Sequence, residues 1–390
     1  MEIALDKLGK IITGNTPSKK NKDYWDSKDI VFIKPNNLNI YNLKLFEKDN
    51  EYLSEKAINK ARTVDANSIL VTCIGIVGKV ALTTSEKTAF NQQINAIVPN
   101  KNIFPKYLAY ALMYCRPRLA SIANAPVVPI INKKQFSNFK VNVNLNKIDQ
   151  ITIVKQLDVI NKIIENKNEQ LNKLDELIKA RFVEMFGNYP NNEKSWPVGK
   201  IKDLVLDVRY GTSKKATDGT SGKYPYLRMN NITYDGNLNL SDLKTIDLPL
   251  EDLEKYTVQK GDLLFNRTNS RDLVGKTCVY DLDKTMVLAG FIIRVRLDTT
   301  VANPVFVSKF LNTGYSKLLL RTICKNASGQ SNINAKEMQN IKIYVPPISL
   351  QNEFANFVQQ VDKSKFENIV YLNKTLLMKI LSQLGDGFRD

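Results

Sequence analysis

Ile33-Lys34-Pro35-Asn36-Asn37-Leu38 returns, altered but recognisable, as Leu227-Arg228-Met229-Asn230-Asn231-Ile232. Ile131-Asn132-Lys133-Lys134-Gln135-Phe136 and Lys140-Val141-Asn142-Val143 return in the same way, as Ile333-Asn334-Ala335-Lys336-Glu337-Met338 and Lys342-Ile343-Tyr344-Val345. An offset of about 200 residues is the size of a domain and far exceeds a solenoid turn. The chain therefore carries two diverged copies of one domain, a plan suited to one job done on two similar but non-identical targets.

Between and after the copies the pattern becomes helical. Ile153, Leu157, Ile160, Ile164, Leu171, Leu174 and Ile178 fall at spacings of three, four and seven, and no Pro or Gly interrupts the chain between Pro129 and Gly187. A helix from about Asp149 to Met185 would run roughly 55 Å. A second stripe, Phe354, Val358, Val361, Ile369, Leu372, Leu376 and Ile380, follows Pro346-Pro347. Each stripe is narrow, so the economical burial is one helix against the other, although packing on its own domain or on another chain would also cover it. The expected fold is α+β: two duplicated mixed α/β domains, 1–145 and 188–345, separated by two long helices, 146–187 and 346–390, that form an antiparallel coiled coil. Short strands are expected at Asp29 to Ile33, Ser68 to Val71, Asp262 to Phe265 and Gly290 to Val295, and helices at Tyr107 to Met113 and Val305 to Leu311.

Charge separates the same segments. The chain has 390 residues, 43% hydrophobic, with a formal charge of +17. Residues 1–145 hold 21 Lys/Arg against 11 Asp/Glu and residues 188–345 hold 23 against 16, while 146–187 and 346–390 balance at 7 and 7, and 5 and 5. The whole excess lies in the repeated domains, as a polyanion-binding surface requires. Histidine is absent, which removes Ser-His-Asp, Cys-His and His-metal chemistries. Cys73, Cys115, Cys278 and Cys324 show no CxxC spacing, so free thiols in a reducing cytoplasm are expected, with no metal site. Neither a signal peptide nor a membrane span is expected.

Several loops could meet DNA. Gly14-Asn15-Thr16-Pro17-Ser18-Lys19-Lys20 has a counterpart in Tyr210-Gly211-Thr212-Ser213-Lys214-Lys215, with hydroxyls, amides and lysines for phosphate. Asn36 and Asn37 in one copy, and Arg228, Asn230 and Asn231 in the other, offer groups suited to base edges, although paired asparagines are also common turn formers, and Lys34 joins the expected contacts. Asn266 to Arg271 is a run of polar donors and acceptors followed by Gly275-Lys276; its first-copy counterpart, Thr72 to Lys79, is largely apolar. The full expected contact set adds Lys79, Lys133, Lys134, Arg267, Asn269, Arg271, Lys276, Gln330 and Asn332. Val345-Pro346-Pro347-Ile348 lacks the leading Asn of the adenine-methyltransferase motif, and Gly75-Ile76-Val77-Gly78-Lys79 lacks the phosphate-loop pattern. No catalytic set is expected.

In these features the chain resembles the specificity subunit of type I restriction-modification systems. The resemblance rests on Gly14-Asn15-Thr16-Pro17-Ser18, on Asn266-Arg267-Thr268-Asn269-Ser270 with Val274-Gly275-Lys276, and on Arg181-Phe182-Val183-Glu184-Met185-Phe186-Gly187. It rests also on Gly329-Gln330-Ser331-Asn332-Ile333-Asn334 and on a junction that keeps Pro347, Ile348, Gln351 and Phe354 in the second copy; the first has Leu145, Ile148, Gln150 and Ile153 without the prolines. It implies two target-recognition domains, each reading half of a bipartite double-stranded DNA site. It implies spacer helices that dock two adenine-N6 methyltransferase subunits holding S-adenosylmethionine, and a motor-nuclease restriction subunit. No cofactor is expected on this chain. The competing readings are the specificity partner of another kind of restriction system, a self-sufficient methyltransferase or nuclease, and a coiled-coil scaffold binding polyanions without sequence preference.

Overall fold

The computed structural model of the protein describes residues 1–46, 50–123, 128–217, 222–327 and 329–371. It divides into two compact units, the first built on Met1–Glu169 and the second on Gln170–Asn368.

In the first unit the buried run Ile69–Thr72 is a central strand, as a continuous apolar stretch covered on both faces should be. It lies between Ile94–Pro99 and Val80–Leu82, with Gly9–Thr13 completing an antiparallel four-stranded sheet. A second four-stranded sheet has the order Glu51–Leu53, Ile30–Ile33, Thr88–Phe90, Thr63–Val64, and its central pair is parallel. Glu2–Ala4 pairs antiparallel with Lys140–Asn142, so the repeat closes on its own ends. The helix Pro105–Tyr114 buries Tyr107, Leu108 and Leu112 in the core of this unit.

The second unit repeats that plan strand for strand. Val205–Tyr210, Ile292–Leu297, Leu263–Asn266 and Thr277–Val279 form the antiparallel sheet. Lys244–Ile246, Tyr224–Leu227, Met286–Leu288 and Thr257–Val258 form the mixed one. Val198–Lys200 pairs with Lys342–Tyr344 as the closing clasp. One element is enlarged: a small sheet of Thr268–Asn269, Gln330–Asn332 and Lys325–Ala327 stands where the first unit has the single antiparallel bridge Ile74–Ile130.

A 40-residue helix, Lys147–Phe186, leaves the first repeat, and Ile348–Tyr371 leaves the second. In the first unit Val154 and Leu157 enter the core, Ile160 is buried and Ile164 half-buried. In the second, Ile178, Phe182 and Phe186 pack with Phe354, Val358 and Val361, while Leu171 and Leu174 are half-buried. Arg181 reaches Glu353 at 3.1 Å and Asp175 reaches Lys365 at 2.6 Å, so positions rise along one helix as they fall along the other. The pair is antiparallel. Ile369 departs from expectation and is 43% exposed. The 4-3-4 spacing from Phe354 through Val358 and Val361 leads to Lys365 and then Asn368, one position short of Ile369. Leu372, Leu376 and Ile380 lie outside the described residues.

A buried glutamine fastens each helix to its domain. Gln150 accepts from the Phe104 amide at 2.6 Å and donates to the Asn144 carbonyl at 2.7 Å. Gln351 accepts from the Asn303 amide at 2.9 Å and donates to Pro346 and Val301 carbonyls at 2.7 and 3.1 Å. Phe104 and Asn303 are the N-caps of matching helices, Pro105–Tyr114 and Pro304–Leu311, so each glutamine ties a helix start to the strand exit.

Candidate nucleic-acid interface

Both copies build the same turn after the Ile30–Ile33 or Tyr224–Leu227 strand. Asn37 accepts from the Lys34 amide and donates to the Phe46 carbonyl and Asn50 Oδ1. Asn231 accepts from the Arg228 amide and donates to the Asn239 and Asp242 carbonyls. These side chains are only 5% and 1% exposed, and their bonding capacity is spent on the turn. Both side chains shape the loop that carries their exposed neighbours Asn36 and Asn230. Lys79 and Lys276 serve the same turn, Lys79 from a half-buried position and Lys276 from a buried one. Lys79 donates to the Pro35 carbonyl at 3.1 Å and Lys276 to the Met229 carbonyl at 2.9 Å, bracing that turn from behind. Burial lowers the pKa of Lys276. Asn269 is also buried and donates to Asn266 Oδ1 at 2.8 Å, so it too is a structural residue.

The two copies diverge where that scaffold meets the surface. The loop ends are clamped alike: Gly78 N to Thr72 O and Thr72 N to Lys79 O in the first, Gly275 N to Asn266 O and Asn266 N to Lys276 O in the second. Residues 73–77 lie between the clamps in one copy and 267–274 in the other. Cys73 and Arg267 occupy equivalent backbone sites, since Cys73 is bonded to Gln93 O and Ile131 N, and Arg267 to Phe291 O and Ile333 N. The first copy buries a thiol there, pushed up to about 12 by burial. The second holds a guanidinium 5.0 Å above the Tyr210 ring, bonded to Asn332 Oδ1 at 3.1 Å. Asn332 in turn donates to Thr268 Oγ1 at 2.7 Å, so Arg267 is presented in a fixed pose.

The remaining cations form two groups. Lys19 and Lys34 both hold Glu51, and Lys19 lies 5.1 Å from the Trp25 ring centre. Burial works against the Glu51 charge, but the bonds from Lys34 and Lys19 keep its carboxyl below the usual range. Arg228 pairs with Asp242 at 2.7 Å and Lys214 with Asp252 at 3.3 Å. These acids set the poses of the cations and were invisible to spacing arguments, because the chain brings them in from separate turns. Lys20, Lys133, Lys134, Lys215 and Gln330 are exposed, and Arg271 bonds the Arg321 carbonyl at 3.4 Å while its side chain stays exposed. In the first copy Lys34, Asn36, Ile74, Ile76, Lys79, Asn91 and Gln93 line a cleft of about 280 Å³.

Gly14 and Gly211 have a different role from phosphate approach. A Cβ on Gly14 would overlap the Phe90 and Asn91 carbonyls, and one on Gly211 the Leu288 and Ala289 carbonyls. Their neighbours Asn15 and Thr212 bond the same carbonyls of Phe90 and Leu288 at 3.0 and 2.8 Å. The close approach is to the protein's own chain.

A duplicated basic domain with matching scaffolds and differing loops places the chain among proteins built on two copies of one domain. The family described as "Type I restriction modification DNA specificity domain" matches residues 1–176 and again 193–377. The MjaIX specificity subunit of Methanocaldococcus jannaschii is 23% identical over 406 aligned residues, covering 97% of this chain and 89% of that one. The putative MjaX specificity subunit of the same organism is 28% identical over 197 residues, covering 50% of this chain and 44% of that relative, less than half its length. A crystal structure of the type I restriction-modification S subunit from M. genitalium superposes with a TM-score of 0.51 at 16% identity, covering 100% of this chain and 96% of that one, and supports the fold. The chain belongs to the type I restriction-modification specificity family, with two copies of its specificity domain. Among the described residues no helix is long and apolar enough to cross a membrane.

Proposed function

We propose that the chain is the non-catalytic sequence reader of a type I restriction-modification enzyme, each repeat contacting one half of a bipartite, asymmetric site in double-stranded DNA. The observation that carries this reading is the pair of equivalent positions Cys73 and Arg267: one scaffold, clamped by the same backbone bonds, presents different chemistry in each copy. An arginine held rigid by an aromatic ring and an amide is suited to fork onto guanine O6 and N7. Lys19, Lys20, Lys34, Asn36, Lys133 and Lys134 are the first repeat's contacts, and Lys214, Lys215, Arg228, Asn230, Arg267, Arg271, Gln330 and Asn332 the second's. On this reading the spacer helices dock two adenine-N6 methyltransferase subunits that hold S-adenosylmethionine, and the restriction subunit joins that complex.

Exchange of residues 188–345 for those of a relative, followed by a map of modified adenines in the host genome, tests it. The expected map changes one half of a two-part motif and keeps the other. A change in both halves, or none, would overturn the two-reader assignment.

A further inference from the structure

The loop of residues 73–77 in the first repeat is held in shape through its backbone. The Thr72 hydroxyl donates to the Ile76 carbonyl at 2.6 Å and accepts from the Lys79 amide at 3.0 Å. The Gly75 amide donates to the Pro129 carbonyl at 3.0 Å, and Ile74 bridges Ile130. Gly75 takes a φ of +78°, which glycine adopts at no steric cost. A loop fixed in this way sends Cys73 and Val77 into the core and leaves Ile76 outside it, 56% exposed, with Ile130 38% exposed on the bridged segment.

The surroundings of this apolar tip are polar and basic. Ile74 and Ile76 share the cleft of about 280 Å³ with Lys34, Asn36 and Gln93, and Lys79 ties the loop to the turn of Asn36 through the Pro35 carbonyl. Lys133 and Lys134 are exposed a few residues beyond Ile130. With 21 cations against 11 acids, residues 1–145 present a surface suited to a polyanion, and a rim of lysines disfavours an apolar protein partner. Phosphates and sugars give an isoleucine nothing to bond. Among base edges in the major groove the apolar group is the C5 methyl of thymine, and small aliphatic side chains are its partners.

We propose that Ile76 is a specificity-determining residue of the first repeat and that it reads a thymine methyl, where the second repeat presents Arg267. This rests on the assignment of the first repeat to one half of a DNA site. That half is the part of the modified motif retained when residues 188–345 are exchanged. Competition binding at fixed salt tests the proposal, with the full chain assembled with its methyltransferase subunits and a duplex carrying the motif. Deoxyuridine in place of thymine keeps the base pair and removes only the methyl. Placed at each thymine of the retained half in turn, it should weaken binding at least about threefold at one position, the scale of one buried methyl. Ile76→Ala should weaken the thymine duplex by a similar factor and bind thymine and deoxyuridine duplexes equally. A retained half made only of G·C pairs, indifference to deoxyuridine at every position, or a preference for thymine that survives in Ile76→Ala would each overturn the proposal. The deoxyuridine series uses the unaltered protein, so it decides even if the variant fails to fold. A scrambled duplex bound as tightly as the motif would instead overturn the sequence-reading assignment beneath it.

Discussion

Gly14 and Gly211 sit where a methyl group would collide with two carbonyls of the adjoining chain. Alanine at either position should destabilise its own unit by about 1–3 kcal/mol, the cost of overpacking, and a lowered melting temperature without bound DNA will show it. Had these glycines served phosphate approach, only DNA affinity would fall. Lys317 offers a second residue-level test. Burial lowers its pKa from 10.5 to about 8, with Asp235 opposing and Lys276 and Arg321 adding to the shift. Between those values the unfolded chain holds a proton that the folded one has lost, so folding stability rises with pH across that window. The stability of the protein relative to Lys317→Met should be flat below about pH 8 and grow toward pH 10.5 in denaturant titrations. Residue roles were the least legible part of the sequence. Asn36 and Asn37 look equivalent in a row of letters, yet one is exposed and the other spent on the turn, and only the fold tells them apart. The acids Glu51, Asp242 and Asp252 gave no signal because no short-range pattern links them to Lys34, Arg228 and Lys214.

At the scale of elements, periodicity carried far more. The apolar runs at Ile30–Ile33, Ile69–Thr72, Leu263–Asn266 and Ile292–Leu297 are strands, and the uninterrupted 3-4 pattern is the 40-residue helix. The pattern failed at Ile369 because the seam runs through a polar pair, Lys365 and Asp175, which an apolar count passes over. Gln150 and Gln351 were legible as matched letters but not as a device. Replacement of Gln351 by Leu leaves the Asn303 amide and the Pro346 and Val301 carbonyls without their partner. Each buried orphan costs about 1–3 kcal/mol, so the variant should lose at least about 3 kcal/mol in chemical denaturation. Gln351→Glu, which keeps the acceptor and loses the donor, should fall between the two.

For the whole molecule, the duplication made the fold class legible because two copies of each pattern had to make sense together. The second unit's extra strand pairing escaped it, since Thr268–Asn269 and Gln330–Asn332 are two and three residues long and come from distant segments. If the long helices set the distance between half-sites, insertion of seven residues, two turns of helix, within Lys147–Phe186 should lengthen the unread spacer and leave both recognised halves unchanged; long-read mapping of modified adenines would report it. The clasp that ends each repeat bears on inheritance. Glu2–Ala4 lies beside Lys140–Asn142, and Val198–Lys200 beside Lys342–Tyr344, so each domain begins and ends at one place in its fold. A recombination event with both crossovers outside such a clasp delivers every strand of that domain's two four-stranded sheets, together with the backbone bonds between them that shape its loops. New pairings of readers can therefore arise by genetic exchange in a single step, with no intermediate that must fold around a foreign half-domain.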